Sequence, residues 1–358
     1  MSHAPNAPQS LTAPESVGES QAPAAGAPPA PEGFRPSPWT AGLPASVVDL
    51  QAALQRHHYL ADTALATVAW LGLKLGRPLL LEGEAGVGKT ALARALASLL
   101  GAPLIRLQCH DGLDLNQAAY EWNVARQMLR IRLAQSEAPS LASGTVAAPG
   151  SADAKPEAFR GVLHESDLYS DDLLLERPLL AALRSPVPVV LLIDELDRAD
   201  EAFEAFLLEF LSEWQLSIPE RGAQPIRARH RPLVLLTSNR TRELHDALKR
   251  RCLYQWVDYP DLQRELAIVQ AHAPQAPQQL SVQAVAAVHA LREMALFKPP
   301  GIAETLDWID ALMALDRQAL DAQSLRETLG VLLKVQEDQA RMSPAQLEQV
   351  VAAAQRPA

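Results

Sequence analysis

The sequence is poor in cysteine and has no long apolar run. Its two cysteines, Cys109 and Cys252, lie far apart and in no ligand-spaced cluster, so we expect neither a disulfide framework nor a zinc site. No apolar stretch reaches the roughly 18 residues that cross a bilayer. The first residues also lack the apolar core of a secretory signal and the Arg-rich character of an import signal. We therefore expect a cytoplasmic protein with no membrane span.

Positive charge is scarce as well. The 32 Lys and Arg residues are outnumbered by 42 Asp and Glu residues, which gives a formal net charge of -10 at pH 7. Such a charge repels a polyanion at long range and favours a protein partner over nucleic acid. A local cluster of arginines keeps open the alternative that the protein acts on nucleic acid. The cluster consists of Arg221, Arg227, Arg229 and Arg231.

Apolar residues and proline are abundant, at 48% and 28 residues. Ten of the prolines fall in the first 44 residues among Ala, Ser, Gln and Gly, a composition that cannot bury enough apolar surface to fold. We predict a disordered Pro/Ala-rich tail over residues 1–45. Residues 134–161 are rich in Ala, Ser, Pro and Gly, which predicts a flexible insertion in a helical segment that resumes near Leu173.

Short apolar segments alternate with helical patterns in the middle of the chain. The segments that predict strands are 79–81, 104–107, 187–193, 231–239 and 253–260. Continuous apolar runs of this length are typical of strands buried on both faces of a parallel sheet. Two short alternating segments around Gly222, within residues 215–229, predict a hairpin.

Apolar spacings of three and four residues predict helices. Residues 46–75 suit one or two amphipathic helices, and we interpret His57 and His58 as the turn between them. Residues 114–133 fit a helix in part, but the alternation of Tyr120, Trp122 and Val124 also fits a strand, and the pattern leaves both open.

The two kinds of pattern divide the chain into two predicted domains. All predicted strands precede residue 261, and only helical patterns follow it. The sequence therefore predicts an α/β domain with a parallel sheet over residues 46–260, followed by a small all-α domain over residues 261–358. A length of 358 residues suits two ordinary domains.

A glycine-rich segment joins the first predicted strand to the helical pattern after it. It fits the phosphate-binding pattern G-x-x-x-x-G-K-[ST], in the strand-before, helix-after context that the pattern requires. Its glycines let backbone N–H groups converge on an anion, and the helix N-terminus adds partial positive charge. Lys89 supplies a point charge for the outer phosphates, and Thr90 a hydroxyl for Mg²⁺. The predicted phosphate-binding residues are Gly83, Glu84, Ala85, Gly86, Val87, Gly88, Lys89 and Thr90.

Polar residues end two later predicted strands. Asp194 and Glu195 can supply a carboxylate for Mg²⁺ and an acid that activates water, although such acids also favour the start of a following helix. Asn239 ends the next strand, where its side chain can orient the attacking water; asparagine here is also common in plain turns. In the basic run that follows, Arg251 rather than Arg250 is the candidate for stabilising transition-state charge, against the alternative of a solvated helix face.

In this order, these residues resemble the motifs of the AAA+ ATPases. The hairpin before the Asn239 strand and the insertion before the Asp194 strand resemble the MoxR family. Three segments are most similar to its CoxD-like branch: LLIDELDRAD, LTSNRTRELHDALKRRCLYQWVDYP and YEWNVARQ. The resemblance runs from about residue 46 to residue 340.

The resemblance implies a mechanism and partners. It implies a homo-oligomeric ring, commonly hexameric, that hydrolyses ATP with Mg²⁺ between subunits. The ring remodels or matures a protein client, often a metalloenzyme, together with a partner that contains a von Willebrand factor A domain. By resemblance, Gly86–Thr90 match the phosphate loop, Asp194 the magnesium-binding acid, Glu195 the water-activating acid, Asn239 the first sensor and Arg251 the arginine finger.

One residue of the family pattern is missing. Many AAA+ proteins place an arginine, the second sensor, early in a helix of the all-α domain, but residues 301–315 contain none, and Glu304 or Thr305 stands roughly where it would be. Hydrolysis would then be slow or use another residue, such as Arg292. The departure keeps open a nucleotide-dependent binding switch with little turnover. A monomeric P-loop kinase is disfavoured, because no phosphoacceptor pocket is evident in the C-terminal segment.

Overall fold

The computed structural model describes Trp39 and residues 42–137, 165–222 and 224–356. Most of the predicted tail over residues 1–45 lies outside the described residues. Most of the predicted insertion over residues 134–161 lies outside them as well. Both therefore stay predictions.

The strands form one parallel sheet and two small antiparallel ribbons. They are β1 (Leu79–Glu82), β2 (Leu104–Gln108), β3 (Tyr120–Trp122), β4 (Leu174–Glu176), β5 (Val190–Asp194), β6 (Gln215–Leu216), β7 (Ile226–Arg227), β8 (Leu233–Ser238) and β9 (Leu253–Trp256). The sheet has the order β2-β5-β8-β1-β9, and all of its pairs are parallel. The ribbons are β3–β4 and β6–β7. The predicted strands and the predicted hairpin are thus confirmed.

Helices cover the sheet and make up the C-terminal part. They are α1 (Val47–Arg56), α2 (Thr63–Leu75), α3 (Lys89–Leu100), α4 (Leu115–Ala118), α5 (Val124–Glu137), α6 (Glu165–Leu168), α7 (Pro178–Arg184), α8 (Glu201–Glu213), α9 (Asp246–Arg251), α10 (Leu262–His272), α11 (Gln278–Arg292), α12 (Ile302–Ala314), α13 (Ala322–Leu332), α14 (Gln336–Arg341) and α15 (Pro344–Ala354). Among the described residues, no helix is long and apolar enough to cross a membrane.

The parallel sheet is buried on both faces. Leu79 and Leu81 of β1 belong to a core with Leu92 of α3, whereas Leu80 belongs to a second core with Leu207 of α8. Successive side chains of a strand point to opposite faces, so a strand covered on both sides needs an unbroken apolar run. The apolar strands of the sequence therefore build a two-sided core.

The C-terminal helices α10 to α15 pack around a core of their own. Trp308 of α12 is completely buried there, and its Nε1 donates a hydrogen bond to Thr328 Oγ1 at 2.6 Å, so the indole N–H is satisfied. The structure confirms the predicted fold class, a parallel α/β sheet followed by an all-helical region.

The segment that the sequence pattern left open contains both kinds of element. Residues 114–133 form the short helix α4, strand β3 and most of α5. The expectation that a helical segment resumes near Leu173 is wrong, because a 3-10 turn at Asp171–Leu173 leads into strand β4. Strand β4 pairs with β3, a partner about 50 residues earlier that no local pattern can show.

Candidate nucleotide-binding site

The glycine-rich segment forms a tight turn between β1 and α3. Gly86 and Gly88 have φ angles of 80° and 93°, in the left-handed region that glycine adopts without strain. At Gly83 a side chain has no room, because a Cβ atom would lie 2.2 Å from the carbonyl oxygen of Val257. The loop therefore needs glycine both for its bends and for its packing against the chain after β9.

The side chain of Lys89 closes this loop from within. Its Nζ donates to the carbonyl oxygens of Gly83 and Glu84, both at 2.7 Å, and the residue is buried at the start of α3. Burial lowers the pKa of the ammonium, while nearby carboxylates, first that of Asp197, act in the opposite direction. A partly desolvated cation thus lies beside a helix N-terminus, as an anion-binding loop requires.

Asp194 joins the loop to the ends of two strands. Its Oδ1 accepts hydrogen bonds from Thr90 Oγ1 at 3.0 Å and from Thr237 Oγ1 at 2.5 Å. Its Oδ2 accepts from Arg106 on the neighbouring strand, at 3.1 Å from Nε and 2.6 Å from the terminal nitrogen. Since β5 lies between β2 and β8, the carboxyl ends of these strands meet at this edge. Asp194 is therefore in direct contact with the predicted Mg²⁺-binding hydroxyl of Thr90.

The donor set fits Mg²⁺. Thr90 and Asp194 offer two hard oxygen ligands, and Mg²⁺ usually takes one or two protein oxygens and completes its shell with water and phosphate oxygens. In the part of the chain that the structure describes, no cluster of three or more His, Cys, Asp or Glu forms an all-protein metal site. The arrangement therefore suits a metal held jointly with phosphates.

Glu195 and Asn239 lie at the same edge of the sheet. The backbone of Glu195 is left-handed, with φ 55°, and its N–H donates to Thr237 Oγ1 at 2.9 Å. Its carboxylate is partly exposed to solvent and pairs with Arg198 Nε at 2.9 Å. The N–H of Asn239 donates to Asp197 Oδ1 at 3.1 Å. These contacts fix both backbones beside Asp194 and leave both side chains at the cleft.

Asp197 is the anchor of the loop that carries Asn239. Besides the Asn239 N–H, it accepts the N–H of Thr241 at 2.9 Å and the Thr241 hydroxyl at 2.7 Å. Burial raises the pKa of Asp197, but these hydrogen bonds outweigh burial and hold its pKa below the usual value. The carboxylate therefore stays ionised and positions Asn239.

The loop, the strand ends and the helical region enclose one cleft of about 360 Å³. It is lined by Ala85 to Thr90, Asp194, Glu195, Thr237 and Asn239 on the sheet side. Gly83 and Glu84 contribute carbonyl groups to Lys89 instead of lining the cleft. The structure therefore brings together most of the residues that the sequence predicted for a phosphate site.

The far end of the cleft holds residues that the sequence analysis missed. His58, Tyr59 and Leu60, in the link between α1 and α2, line it together with Ile268 and His272 of α10. His58 does lie in a turn, as interpreted, with φ 58°, but its ring also lies 6.1 Å from that of His272. The only local signal was the break between two helical patterns.

Two arginines that the sequence singled out lie away from this cleft. Arg251 ends α9 immediately before β9, and because strand β9 is parallel to β1, its start lies at the edge opposite the phosphate loop. Its Nε donates to Ser212 Oγ at 2.5 Å, and the residue is exposed. Arg292 pairs with the buried Glu265 at distances of 2.5 and 2.8 Å and does not line the cleft. Its use in hydrolysis therefore stays a prediction.

Helix α12 presents apolar residues to the cleft. Ile302, Ala303 and Leu306 line it, while Glu304 caps the helix and Thr305 bonds to Glu265. Within the described residues, the cations at the cleft, Lys89, Arg94 and Arg264, all come from other elements. The absence of a second-sensor arginine in α12, noted from the sequence, is thus not offset by another cation of this helix.

Comparisons with solved structures and with protein families both find proteins that are similar to this chain. Among solved structures, it is similar to a point mutant of Thermotoga maritima RuvB, at 17% identity and a TM-score of 0.41, with 81% of this chain and 70% of that chain covered. It is also similar to the Thermotoga maritima RuvB Holliday junction branch migration motor, at 16% identity and a TM-score of 0.39, with 83% and 75% covered. The comparison with curated proteins found no match. Residues 67–221, which include the phosphate loop and Asp194, match the AAA ATPase domain family. Over these residues the chain is therefore similar in sequence to an AAA ATPase domain.

Proposed function

We propose that the cleft binds ATP with Mg²⁺ and hydrolyses it. The observation that carries the proposal is the contact of Thr90 with Asp194. It joins the phosphate loop after β1 to a buried carboxylate at the end of β5, which is separated from β1 in the sheet by β8. A plain glycine turn would not need a hydroxyl and a carboxylate within 3.0 Å of each other beside a buried lysine.

Each side chain has a role in this proposal. Lys89 and the N–H groups of the loop bind the phosphates, and Thr90 and Asp194 would hold Mg²⁺, which when bound neutralises phosphate charge. Glu195 accepts a proton from the attacking water, and Asn239 orients that water. Glu195 must release Arg198 to do so, which costs little because the pair is partly exposed.

We further propose that hydrolysis takes place between subunits of a homo-oligomeric ring, with six subunits as the expected number. The position of Arg251 supports this, because it is exposed at the edge of the sheet opposite its own cleft. An arginine there can stabilise transition-state charge only in the cleft of a neighbouring subunit.

Within the AAA+ ATPases, we assign the protein to the MoxR type. We propose that the ring remodels or matures a protein client, a metalloenzyme, with a partner that contains a von Willebrand factor A domain. The resemblance of sequence motifs supports this, together with the β6–β7 hairpin that precedes β8. The net charge of -10 favours a protein client in the cytoplasm over nucleic acid.

The test is ATP hydrolysis measured over a protein concentration series in the presence and absence of Mg²⁺. We expect Glu195→Gln to lower the rate about 10²- to 10⁴-fold while ATP still binds, because a general base contributes a factor of this size. Glu348→Gln, an equal change of charge at an exposed position of α15, should leave the rate unchanged. A rate independent of Mg²⁺ or insensitive to Glu195→Gln would overturn the proposal.

The ring has its own test with a neighbouring control. Arg251→Ala should lower turnover by about 10³-fold or more, while Arg250→Ala, the adjacent exposed arginine, should not. The rate per subunit should rise with protein concentration. A rate per subunit that is constant, from a monomer, would count against hydrolysis between subunits.

A binding switch with little turnover is the second candidate. It is favoured by helix α12, which lines the cleft with Ile302, Ala303 and Leu306 and contains no lysine or arginine. Tight ATP binding with a hydrolysis rate that Glu195→Gln does not change would favour the binding switch.

A nucleic-acid role has less support, because Arg221 of the basic hairpin pairs with Asp171. Binding to DNA or RNA that weakens steeply with salt would favour this role.

A further inference from the structure

The phosphate loop is bonded directly to the helical region. The N–H of Ile302, the first residue of α12, donates to the carbonyl oxygen of Gly86 at 3.0 Å. The first N–H groups of a helix have no partner within the helix, so this one is satisfied by the phosphate loop instead. A single hydrogen bond thus links the loop to the start of a helix more than 200 residues later.

The two backbones touch at a pair of glycines. A Cβ atom on Gly301 would lie 2.8 Å from the Cα of Gly86, closer than real Cβ contacts, and 3.0 Å from the carbonyl oxygen of Ala85, which is tighter than most. Gly301 itself has an ordinary backbone, with φ -86°, so glycine is needed there for the close approach and not for its conformation. A larger residue at position 301 must therefore shift the start of α12 or the loop.

A buried polar cluster holds the start of α12 in this place. Glu265 of α10 is completely buried and accepts hydrogen bonds from Arg292, from His289 and from Thr305 Oγ1. Thr305 Oγ1 also lies 3.0 Å from the carbonyl oxygen of Gly301, and Arg292 Nε donates to that of Pro300 at 2.8 Å. Both ends of the Pro300–Thr305 segment are therefore fixed to one buried carboxylate.

From these contacts we infer that Gly301 and Thr305 are positioning residues, which couple nucleotide in the phosphate loop to the helical region through the Gly86 carbonyl. The inference rests on the proposed nucleotide binding. Gly86 lies in the part of the loop that lines the cleft, between the carbonyls that hold Lys89 and the start of α3. When Lys89 and the loop N–H groups turn to phosphates, the backbone at Gly86 has to adjust, and Ile302 is bonded to it.

This coupling does not need the arginine that α12 lacks. Linkage requires that it act in both directions: if nucleotide alters the Gly86–Ile302 contact, then disturbing the contact alters nucleotide affinity by the same factor. Couplings of this kind typically amount to about 5- to 150-fold in affinity. Gly301 and Thr305, which hold this contact, are themselves outside the set of residues expected to touch phosphate, so their effect on nucleotide affinity measures the coupling.

The experiment compares Gly301→Ala with Gly330→Ala. Gly330 is in α13 of the same region, and its added Cβ would meet nothing closer than 3.7 Å. Affinity for MgADP is measured by calorimetry, and amide hydrogen exchange of α12 is followed with and without MgADP. We expect MgADP to change exchange at the first turn of wild-type α12, and Gly301→Ala to abolish that response and weaken MgADP binding about tenfold. Gly330→Ala should match the wild type in both.

A second pair of variants keeps the test valid if Gly301→Ala does not fold. Thr305→Val removes the hydroxyl that joins Glu265 to Gly301, and Thr305→Ser keeps it. We expect the valine variant to lose the α12 response and the serine variant to restore it, which a loss of stability alone would not produce. If Gly301→Ala or Thr305→Val binds MgADP as tightly as the wild type and keeps the exchange response of α12, the inference is wrong, while the proposed function still stands. Failure of the wild type to bind MgADP would overturn the proposed function and, with it, this inference.

Discussion

Two buried carboxylates, Asp194 at the sheet edge and Glu265 in the helical region, are each paired with an arginine, but their surroundings differ. The side chain of Asp194 is 4% exposed, while that of its partner Arg106 is 46% exposed. The side chain of Glu265 is 0% exposed, and that of its partner Arg292 is only 9% exposed. One arginine can leave into water, whereas the other cannot move without exposing a buried charge.

This difference separates a site that exchanges partners from one that only holds structure. Asp194 bonds to two hydroxyl groups and to a half-exposed cation, and that cation can give way to a metal ion at little cost. Glu265 is bonded on both oxygens by groups from α11 and α12 and is itself completely buried. A buried carboxylate therefore indicates chemistry only where its partners can leave.

The largest expected loss of stability comes from removing Arg292, the arginine that pairs with Glu265. Arg292→Ala leaves a buried carboxylate without its cation, so we expect the free energy of unfolding to fall by about 3–5 kcal/mol. Urea unfolding followed by circular dichroism measures this, with Arg326→Ala, an exposed arginine of α13, as the control that should stay close to wild type. A loss below about 1 kcal/mol would show that the Glu265 cluster is not structural.

A smaller loss of stability is expected at low pH, where Glu265 becomes protonated. Burial raises the pKa of Glu265, but hydrogen bonds from His289, Arg292 and Thr305 outweigh it, so its folded pKa lies below the ordinary value of 4.5. A lowered folded pKa contributes stability that is complete above the ordinary pKa and is lost as the pH falls through the folded one. Wild type should therefore lose more stability than Glu265→Gln between about pH 5 and pH 3. Equal pH dependence in unfolding measurements would contradict this.

The smallest effect is expected at Arg106. Its partial exposure limits what its pair with Asp194 contributes, so Arg106→Ala should change the free energy of unfolding by no more than about 1 kcal/mol. Asp194 keeps its bonds to Thr90 and Thr237 in this variant. The same urea series as for Arg292→Ala measures it. A loss as large as that of Arg292→Ala would remove the distinction between the two carboxylates.

The parts of the site that sequence could predict are those coded by neighbouring residues. The phosphate loop is one continuous segment, and strand β5 runs directly into Asp194 and Glu195, so pattern and context place them without a partner. His58 and His272 were missed because only the packing of α10 against the α1–α2 link, through Arg264 and the carbonyl of Leu60, brings them together. The pairing of Arg292 with Glu265 could not be predicted for the same reason, since the two residues lie on different helices.

The sequence by itself determined the apolar strands, the glycine turn and the order of polar residues after them, because these depend on contacts within a few residues. Only the tertiary structure decided which of those polar groups meet. Whether a lysine, an arginine or a carboxylate is free for chemistry depends on the partners that distant segments supply, and on how much water reaches them. The contact between Gly86 and Gly301 shows this most clearly, because two glycines more than 200 residues apart become neighbours only when the helical region packs on the loop.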